Sequence, residues 1–162
     1  MTRAALFALS ALLGAAPASA TVTIGGAFVH QETLSADDIA KLPHVAITAT
    51  EHDGSTSHYA GVPLKDLLRG AGAPTGGDVK GAPARSYLAV QGSDGYVALY
   101  SLAEVDTVAS DCAPILADQR NGNGIDPSFG PFRVVAPCDR THARWVEHVT
   151  SLTIVTIPDH KQ

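Results

Sequence analysis

The feature that most constrains this chain is an apolar run carrying one arginine, residues 130–138, with the sequence GPFRVVAPC. Phenylalanine and β-branched valines are typical of a strand, and a proline at each end stops the hydrogen-bonded ladder. The run therefore predicts a short buried strand. Because a buried guanidinium without a partner is costly, Arg133 must pair with an acid, with carbonyl groups or with an anion.

More positive charge follows this run. Arg140, His142 and Arg144 come just before Trp145, in a chain whose formal net charge is −5. The cluster is either a hub of structural ion pairs or a site for an anion, and Trp145 itself is expected in the core. An acidic chain argues against nucleic acid and anionic membranes as partners.

The structural alternative for Arg133 is an ion pair inside the domain. Asp94 and Asp118 are the acids that the sequence offers for it most directly. A pair of this kind would leave the guanidinium unavailable to a ligand, whereas an open anion site would leave it exposed to one.

The first 20 residues have the pattern of a secretory signal peptide. Arg3 supplies positive charge, residues 4–16 are apolar, and residues 18–20 read Ala-Ser-Ala, which fits the small-residue cleavage rule. The apolar run is too short to cross a bilayer, and no later stretch resembles a membrane span. We expect residues 1–20 to be removed, residues 21–162 to form one domain, and the protein to be periplasmic or secreted.

The chain has two cysteines, Cys112 and Cys138, and both lie in the predicted mature part. Two thiols in an exported chain most often form one disulfide. A metal–thiolate site is the alternative, but it needs further ligands at a spacing that the sequence does not offer. The sequence therefore favours a Cys112–Cys138 disulfide.

The remaining pattern is that of a strand-rich α+β domain with several short helices. Short helices are predicted to begin near Ser35, Pro63 and Ser101, where a capping residue or a proline precedes apolar residues at helical spacing. Asp53-Gly54 predicts a hairpin turn. Strand periodicity covers residues 21–24, 27–30, 44–51, 55–59, 86–91, 96–100, 114–118 and 151–157.

Five motifs occur in an order that resembles a known family. They are YAGVPL followed by DLL at 59–68, SDGY at 93–96, ILAD with a following Asn-Gly at 115–122, GPFRVV at 130–135, and RWV at 144–146. Together, over about residues 44–155, they resemble the molybdopterin-binding domain of sulfite-oxidase-like oxidoreductases. The resemblance implies an α+β domain with a largely antiparallel, barrel-like sheet and a molybdenum–pterin cofactor bound in a cleft.

The resemblance also implies roles for particular side chains. Arg133 and Arg144 would bind the phosphate of the pterin, and His142 belongs to the same basic group. His52 and Tyr96 would line the mouth of the cleft. Guanidinium donors suit a phosphate or another oxyanion.

The chain departs from the family at one position. In the catalytic family, the strand before the Gly-Val-Pro-Leu segment ends on a cysteine whose thiolate binds the metal. Here that strand ends with TATEH, residues 48–52. A carboxylate or an imidazole is a poor substitute for a soft thiolate.

Two hypotheses follow. The chain is either a secreted molybdopterin-dependent oxidoreductase or a cofactor-free periplasmic module that uses its cleft to bind a small anion or a partner protein. A zinc site built from His52, His58 and His142 would require the fold to bring these three residues together.

Overall fold

The computed structural model describes residues 20–106 and 112–159. Apart from Ala20, the predicted signal peptide lies outside these residues. No helix in the described ranges is long and apolar enough to cross a membrane. The helices are α1 (Ala36–Ala40), α2 (Leu64–Gly70) and α3 (Leu102–Val105), with 3-10 turns at Gly76–Asp78, Pro83–Arg85 and His142–Arg144. The strands are β1 (Thr21–Gly26), β2 (Glu32–Ser35), β3 (Val45–Thr50), β4 (Thr56–Pro63), β5 (Ser86–Gly92), β6 (Val97–Ser101), β7 (Ile115–Arg120), β8 (Asn123–Gly124), β9 (Arg133–Val135) and β10 (Val149–Thr156).

These strands form two five-stranded sheets in the described part of the chain. One sheet has the order β2-β1-β10-β5-β6, and the other has the order β3-β4-β7-β8 with β9 also paired to β7. β1 and β10 run parallel, and the other pairs are antiparallel. The predicted α+β, mostly antiparallel fold is confirmed, but the two sheets do not close into a barrel.

The buried core joins residues of both sheets and of α2 in one hydrophobic cluster. Leu64, Leu67 and Leu68 of α2 are buried at the i, i+3 and i+4 spacing from which the helix was predicted. α1 begins at the predicted cap. The Ser35 hydroxyl accepts from the Asp38 backbone N–H, and the Asp38 carboxylate accepts from the Ser35 N–H.

One element assignment from the sequence was wrong. Residues 27–30 are not a strand, because Phe28 has a left-handed φ of 68° that turns the chain, and the strand begins later, at Glu32. The helix start predicted near Pro63 is confirmed, since β4 extends to Pro63 and α2 begins at the next residue, Leu64. Pro63 lacks an N–H but still takes its place opposite Ile115 in the ladder with β7.

Gly61 allows this extension of β4. The register between β4 and β7 shifts between Ala60 and Gly61. A Cβ placed on Gly61 would lie 2.2 Å from the Leu116 carbonyl oxygen and 2.5 Å from the Ala117 Cα, both backbone atoms of β7. The close approach of the two strands therefore requires a glycine at this position.

We predict that Gly61→Ala lowers the free energy of unfolding by about 1–3 kcal/mol, because the backbone of β7 must move to admit the methyl group. Gly70→Ala is the matched control. Gly70 ends α2, and a Cβ there meets no atom within 4 Å. Urea unfolding of both variants checks the prediction, and equal stabilities would contradict it.

The predicted disulfide is present. Cys112, just before β7, is bonded to Cys138, just after β9, across a sequence separation of 26 residues. β7 and β9 are already neighbours in the sheet, with Ile115 opposite Val135. The bond therefore fixes the point where the chain leaves β9 and enters the segment that contains Asp139 and Arg140.

We predict that replacing both cysteines with serine lowers the free energy of unfolding by about 3.5 kcal/mol, the chain-entropy value for a loop of this length. The measurement is urea unfolding of the oxidised protein and of the double variant. Mass spectrometry without reduction provides the control. Two free thiols in the native protein would contradict the bond itself.

Candidate functional site

A cavity of about 460 Å³ opens where β3 ends, against the segment that follows the disulfide. We call it the β3-end cleft. Its walls carry imidazole, guanidinium, hydroxyl and carboxylate groups. The lining residues are Thr50, Glu51, His52, Asp139, Arg140, Thr141, His142 and Ala143. Two of the predicted site residues, His52 and His142, thus line this cleft.

Arg133 lies behind the cleft in the interior and has its own partners. The residue is 6% exposed. Its Nη1 donates to the Tyr59 hydroxyl at 2.9 Å, and its Nη2 donates to Glu147 Oε1 at 3.3 Å. Glu51 Oε2 is 3.9 Å from Nη1. The guanidinium is therefore neutralised from within the domain.

Aromatic rings also contact this guanidinium. The Arg133 Cζ is 4.9 Å from the ring centroid of Phe129 and 5.0 Å from that of Trp145. Cation–π attraction stabilises a desolvated guanidinium in this geometry. Trp145 is buried, as expected, and its indole N–H donates to the Ala136 carbonyl at 3.0 Å.

The acids that pair with Arg133 are not the two named from the sequence. Asp118 is bound to His44, with His44 Nε2 3.0 Å from its Oδ2. Asp94 accepts the backbone N–H of Tyr96 in a turn. Arg133 is opposite Ala117 in the ladder, and because side chains alternate along a strand, Asp118 points to the other face of the sheet.

Arg144 is also paired within the domain. Its Nε donates to Asp139 Oδ2 at 2.8 Å and its Nη2 to Asp139 Oδ1 at 2.5 Å, a bidentate pair. Glu104 is 2.9 Å from the same Nη2, and the Tyr100 ring centroid is 4.5 Å from Cζ. The hydrogen bonds to Asp139 and Glu104 raise the pKa of Arg144 above its usual range.

His142 forms part of the cleft wall. Its ring stacks on Trp145, with centroids 3.8 Å apart and planes at 13°, and its Nε2 is 2.8 Å from the Thr50 carbonyl oxygen. His52 faces it, with ring centroids 6.0 Å apart. Tyr96 is 48% exposed and does not line the cleft, but its hydroxyl donates to the carbonyl of Ala143, which does.

Arg140 was part of the basic cluster in the sequence, but it was not singled out as a site residue. It lies on the cleft wall and is exposed. Among residues 20–106 and 112–159, no acid or other side chain pairs with it. Its position in the sequence could have identified it, because Arg140 follows Pro137, the last proline of the 130–138 run, and so lies beyond the predicted strand.

Glu51 was missed as well, although it directly follows β3 and lines the cleft. Its side chain is 10% exposed, and Arg120 Nη2 lies 2.9 Å from its Oε1. Burial opposes ionisation of Glu51, but hydrogen bonds from Tyr59 and Ser57 and the charges of Arg120 and Arg133 outweigh it, so its pKa is lowered.

Comparison with known proteins places the chain in a family. A family model described as the oxidoreductase molybdopterin binding domain matches residues 12–162. The chain belongs to this family, and the resemblance seen in its motifs is confirmed. No curated protein matches the chain.

A solved structure agrees with this assignment. The chain is similar to the sulfane dehydrogenase SoxCD from Paracoccus pantotrophus, with 21% sequence identity and a TM-score of 0.67. The match covers 85% of this chain and 39% of that one, so the chain spans about two fifths of the length of that protein. At this identity the likeness shows the fold.

The family implies a molybdenum–pterin cofactor. The residues of the cleft suit the anionic groups of this cofactor but not its metal. Both cysteines are bonded to each other, so neither supplies a thiolate to a metal. The described residues contain no group of three or more His, Cys, Asp or Glu side chains able to hold a metal ion. An anionic group that entered the cleft would meet Arg140, His52 and His142 at its surface. The other two predicted ligands, Arg133 and Arg144, are paired with acids of the domain.

We predict that Arg133→Met lowers the free energy of unfolding by about 3 kcal/mol, because it breaks a buried charge network and leaves Glu51 with one cationic partner fewer. Arg69→Met is the control. Arg69 pairs with Asp66 at the surface, so its loss should cost less than about 1 kcal/mol. Chemical unfolding measures both changes. Equal and small losses of unfolding free energy in the two variants would show that the ion pairs of Arg133 do not stabilise the fold.

Proposed function

We propose that this protein is a secreted binding member of the molybdopterin-binding oxidoreductase family, and that its β3-end cleft holds a small anionic ligand. The ligand chemistry is a phosphate or a similar oxyanion, either free or carried by a pterin. Arg140 would bind the charge, with His52 and His142 beside it. On this proposal the domain binds its ligand without molybdenum redox chemistry of the thiolate type.

The observation that carries the proposal is the state of the guanidinium groups around the cleft. Arg133 and Arg144 each face two carboxylates, Glu51 and Glu147 for the first and Asp139 and Glu104 for the second. A guanidinium already engaged in this way has little to gain from an added anion. Arg140 lines the cleft and has no acid partner among the described residues, so it is the cation that an entering anion would meet.

The residues at the end of β3 support binding without redox chemistry. The resemblance implies a thiolate at the end of this strand in the catalytic family, whereas here the strand ends with TATEH, residues 48–52, and the two cysteines form the disulfide. Molybdenum is held well by soft sulfur ligands, and hard carboxylate or imidazole groups do not replace them. We therefore derive no redox step for this chain.

The first experiment is chemical analysis of the protein exported from a host that makes the molybdenum cofactor. We expect a processed N-terminus, no stoichiometric molybdenum, and either bound pterin without metal or no pterin. Stoichiometric molybdenum together with pterin fluorescence would overturn binding without redox chemistry. It would favour the alternative, a molybdopterin-dependent oxidoreductase.

We predict that Arg140→Gln weakens binding of the anion by about tenfold, because one charge-assisted hydrogen bond to the ligand is lost. Calorimetric titration with inorganic phosphate, sulfate and a phosphorylated pterin tests this and separates a free oxyanion from a pterin. Thermal unfolding in the same solutions gives a second readout, since a ligand stabilises the folded state that binds it.

Lys80→Gln is the matched control for this experiment. Lys80 is exposed and lies away from the cleft, so the same loss of one positive charge should leave the affinity unchanged. Equal effects of the two variants would mean that only net charge matters. No binding of any of the three ligands to the wild type would rule out the proposed anion site.

A further inference from the structure

A second group of anion-binding side chains lies behind the β3-end cleft and already holds a carboxylate. Arg120 Nη2 is 2.9 Å from Glu51 Oε1, and the Tyr59 hydroxyl donates to the same oxygen at 2.7 Å. Arg133 donates to that hydroxyl and lies 3.9 Å from the other oxygen of Glu51. Ser57 also hydrogen-bonds the carboxylate. Two guanidinium groups and two hydroxyl groups thus converge on one anion.

This arrangement comes from four different parts of the fold. Glu51 follows β3, Ser57 and Tyr59 lie on β4, Arg120 ends β7, and Arg133 begins β9. β3, β4, β7 and β9 belong to the same sheet. The converging donors are therefore held by sheet hydrogen bonds, whereas Glu51 stands just beyond the end of its strand and lines the cleft.

The Glu51 carboxylate can accept all the hydrogen bonds that reach it, since a carboxylate offers about four acceptor positions. The Arg133 side chain is 7% exposed, yet its buried Nε has no hydrogen-bond partner among the described residues. A buried polar group without a partner is uncommon in folded proteins, and it indicates an acceptor that the side chains around it do not supply.

A side chain that donates a hydrogen bond to an anion must keep its proton. Burial, together with the hydrogen bond to Glu51, raises the pKa of Tyr59 to about 12, so its hydroxyl remains a donor. The guanidinium groups of Arg120 and Arg133 carry only N–H donors and no acceptor. These three side chains therefore present hydrogen-bond donors and positive charge to an anion.

We propose that Arg120, Arg133, Tyr59 and Ser57 form a closed anion site whose occupant is the Glu51 carboxylate. Glu51 acts as a built-in anion, and it excludes external carboxylates and oxyanions from the buried guanidinium of Arg133 and the half-buried guanidinium of Arg120. Removal of the Glu51 side chain leaves a cavity that a small carboxylate fills. The proposal is independent of the anion proposed for Arg140, because it concerns different donors.

The direct test is chemical rescue of Glu51→Ala. Sodium acetate and sodium formate are titrated into the wild type and the variant, with sodium chloride as the ionic-strength control, and thermal unfolding is recorded. We expect the variant to melt at a lower temperature than the wild type and to regain part of the loss with acetate or formate. Calorimetry should show acetate binding to the variant about tenfold more tightly than to the wild type.

Glu147→Ala is the matched control. Glu147 pairs with the same guanidinium, but its side chain is 38% exposed, so its removal opens a site to water. We expect no rescue of this variant by acetate. Rescue of both variants to the same degree, or rescue of neither when Glu51→Ala is folded, would overturn the closed site.

Glu51→Gln gives a second measurement that holds even if the alanine variant does not fold. The groups facing Glu51 are Arg120 on β7, Arg133 on β9 and Tyr59 on β4, with Glu147 on the far side of Arg133. Since the pKa of Glu51 is lowered in the folded state, its stabilising effect is complete above the unfolded pKa and is lost as pH falls through the folded pKa.

The wild type should therefore be more stable than Glu51→Gln at neutral pH, and the difference should vanish at acid pH, where Glu51 is protonated. If the difference in unfolding free energy between the two proteins did not change with pH, Glu51 would stabilise the fold by its packing and not by its charge. Because Arg140→Gln leaves these donors in place, failure of the Arg140 experiment has no effect on either result.

Discussion

The burial of the Arg133 guanidinium is the interaction on which this structure depends. A desolvated charge inside a small domain has to be neutralised, and the chain does so with Glu51, Glu147 and two aromatic faces. Glu51 follows β3 and Glu147 precedes β10, so the two acids that neutralise Arg133 lie beside strands of different sheets.

The same neutralisation changes the chemistry that the cleft can offer. The fold and the motif order are those of a molybdopterin-binding domain. The two arginines that the resemblance assigns to the pterin, Arg133 and Arg144, are satisfied by acids of the domain itself. What remains at the cleft surface is a weaker and more exposed set, Arg140 with two imidazoles.

Local features were predicted well because they depend on neighbouring residues. The strand alternation, the cap at Ser35 and the buried face of α2 each follow from a few residues in sequence. The strand assigned to residues 27–30 was wrong because Phe28 takes a left-handed φ. Where an element ends can also depend on a distant strand, which the local sequence does not show. Residues up to Pro63 stay in β4 because β7 pairs with them, and nothing within the Gly-Val-Pro-Leu segment reports on β7.

The sequence by itself predicted that Arg133 would be buried and would need an acid, carbonyl groups or an anion as its partner. It also favoured the disulfide and indicated the family, and the structure and the family model confirm both. Only the tertiary structure decided which acids pair with Arg133 and which cation stays available to a ligand. Side chains alternate across a sheet, so Asp118 next to Ala117 points away while Glu51, far along the chain, points in. That choice depends on strand register and on where strands end, and neither is encoded in the residues around Arg133.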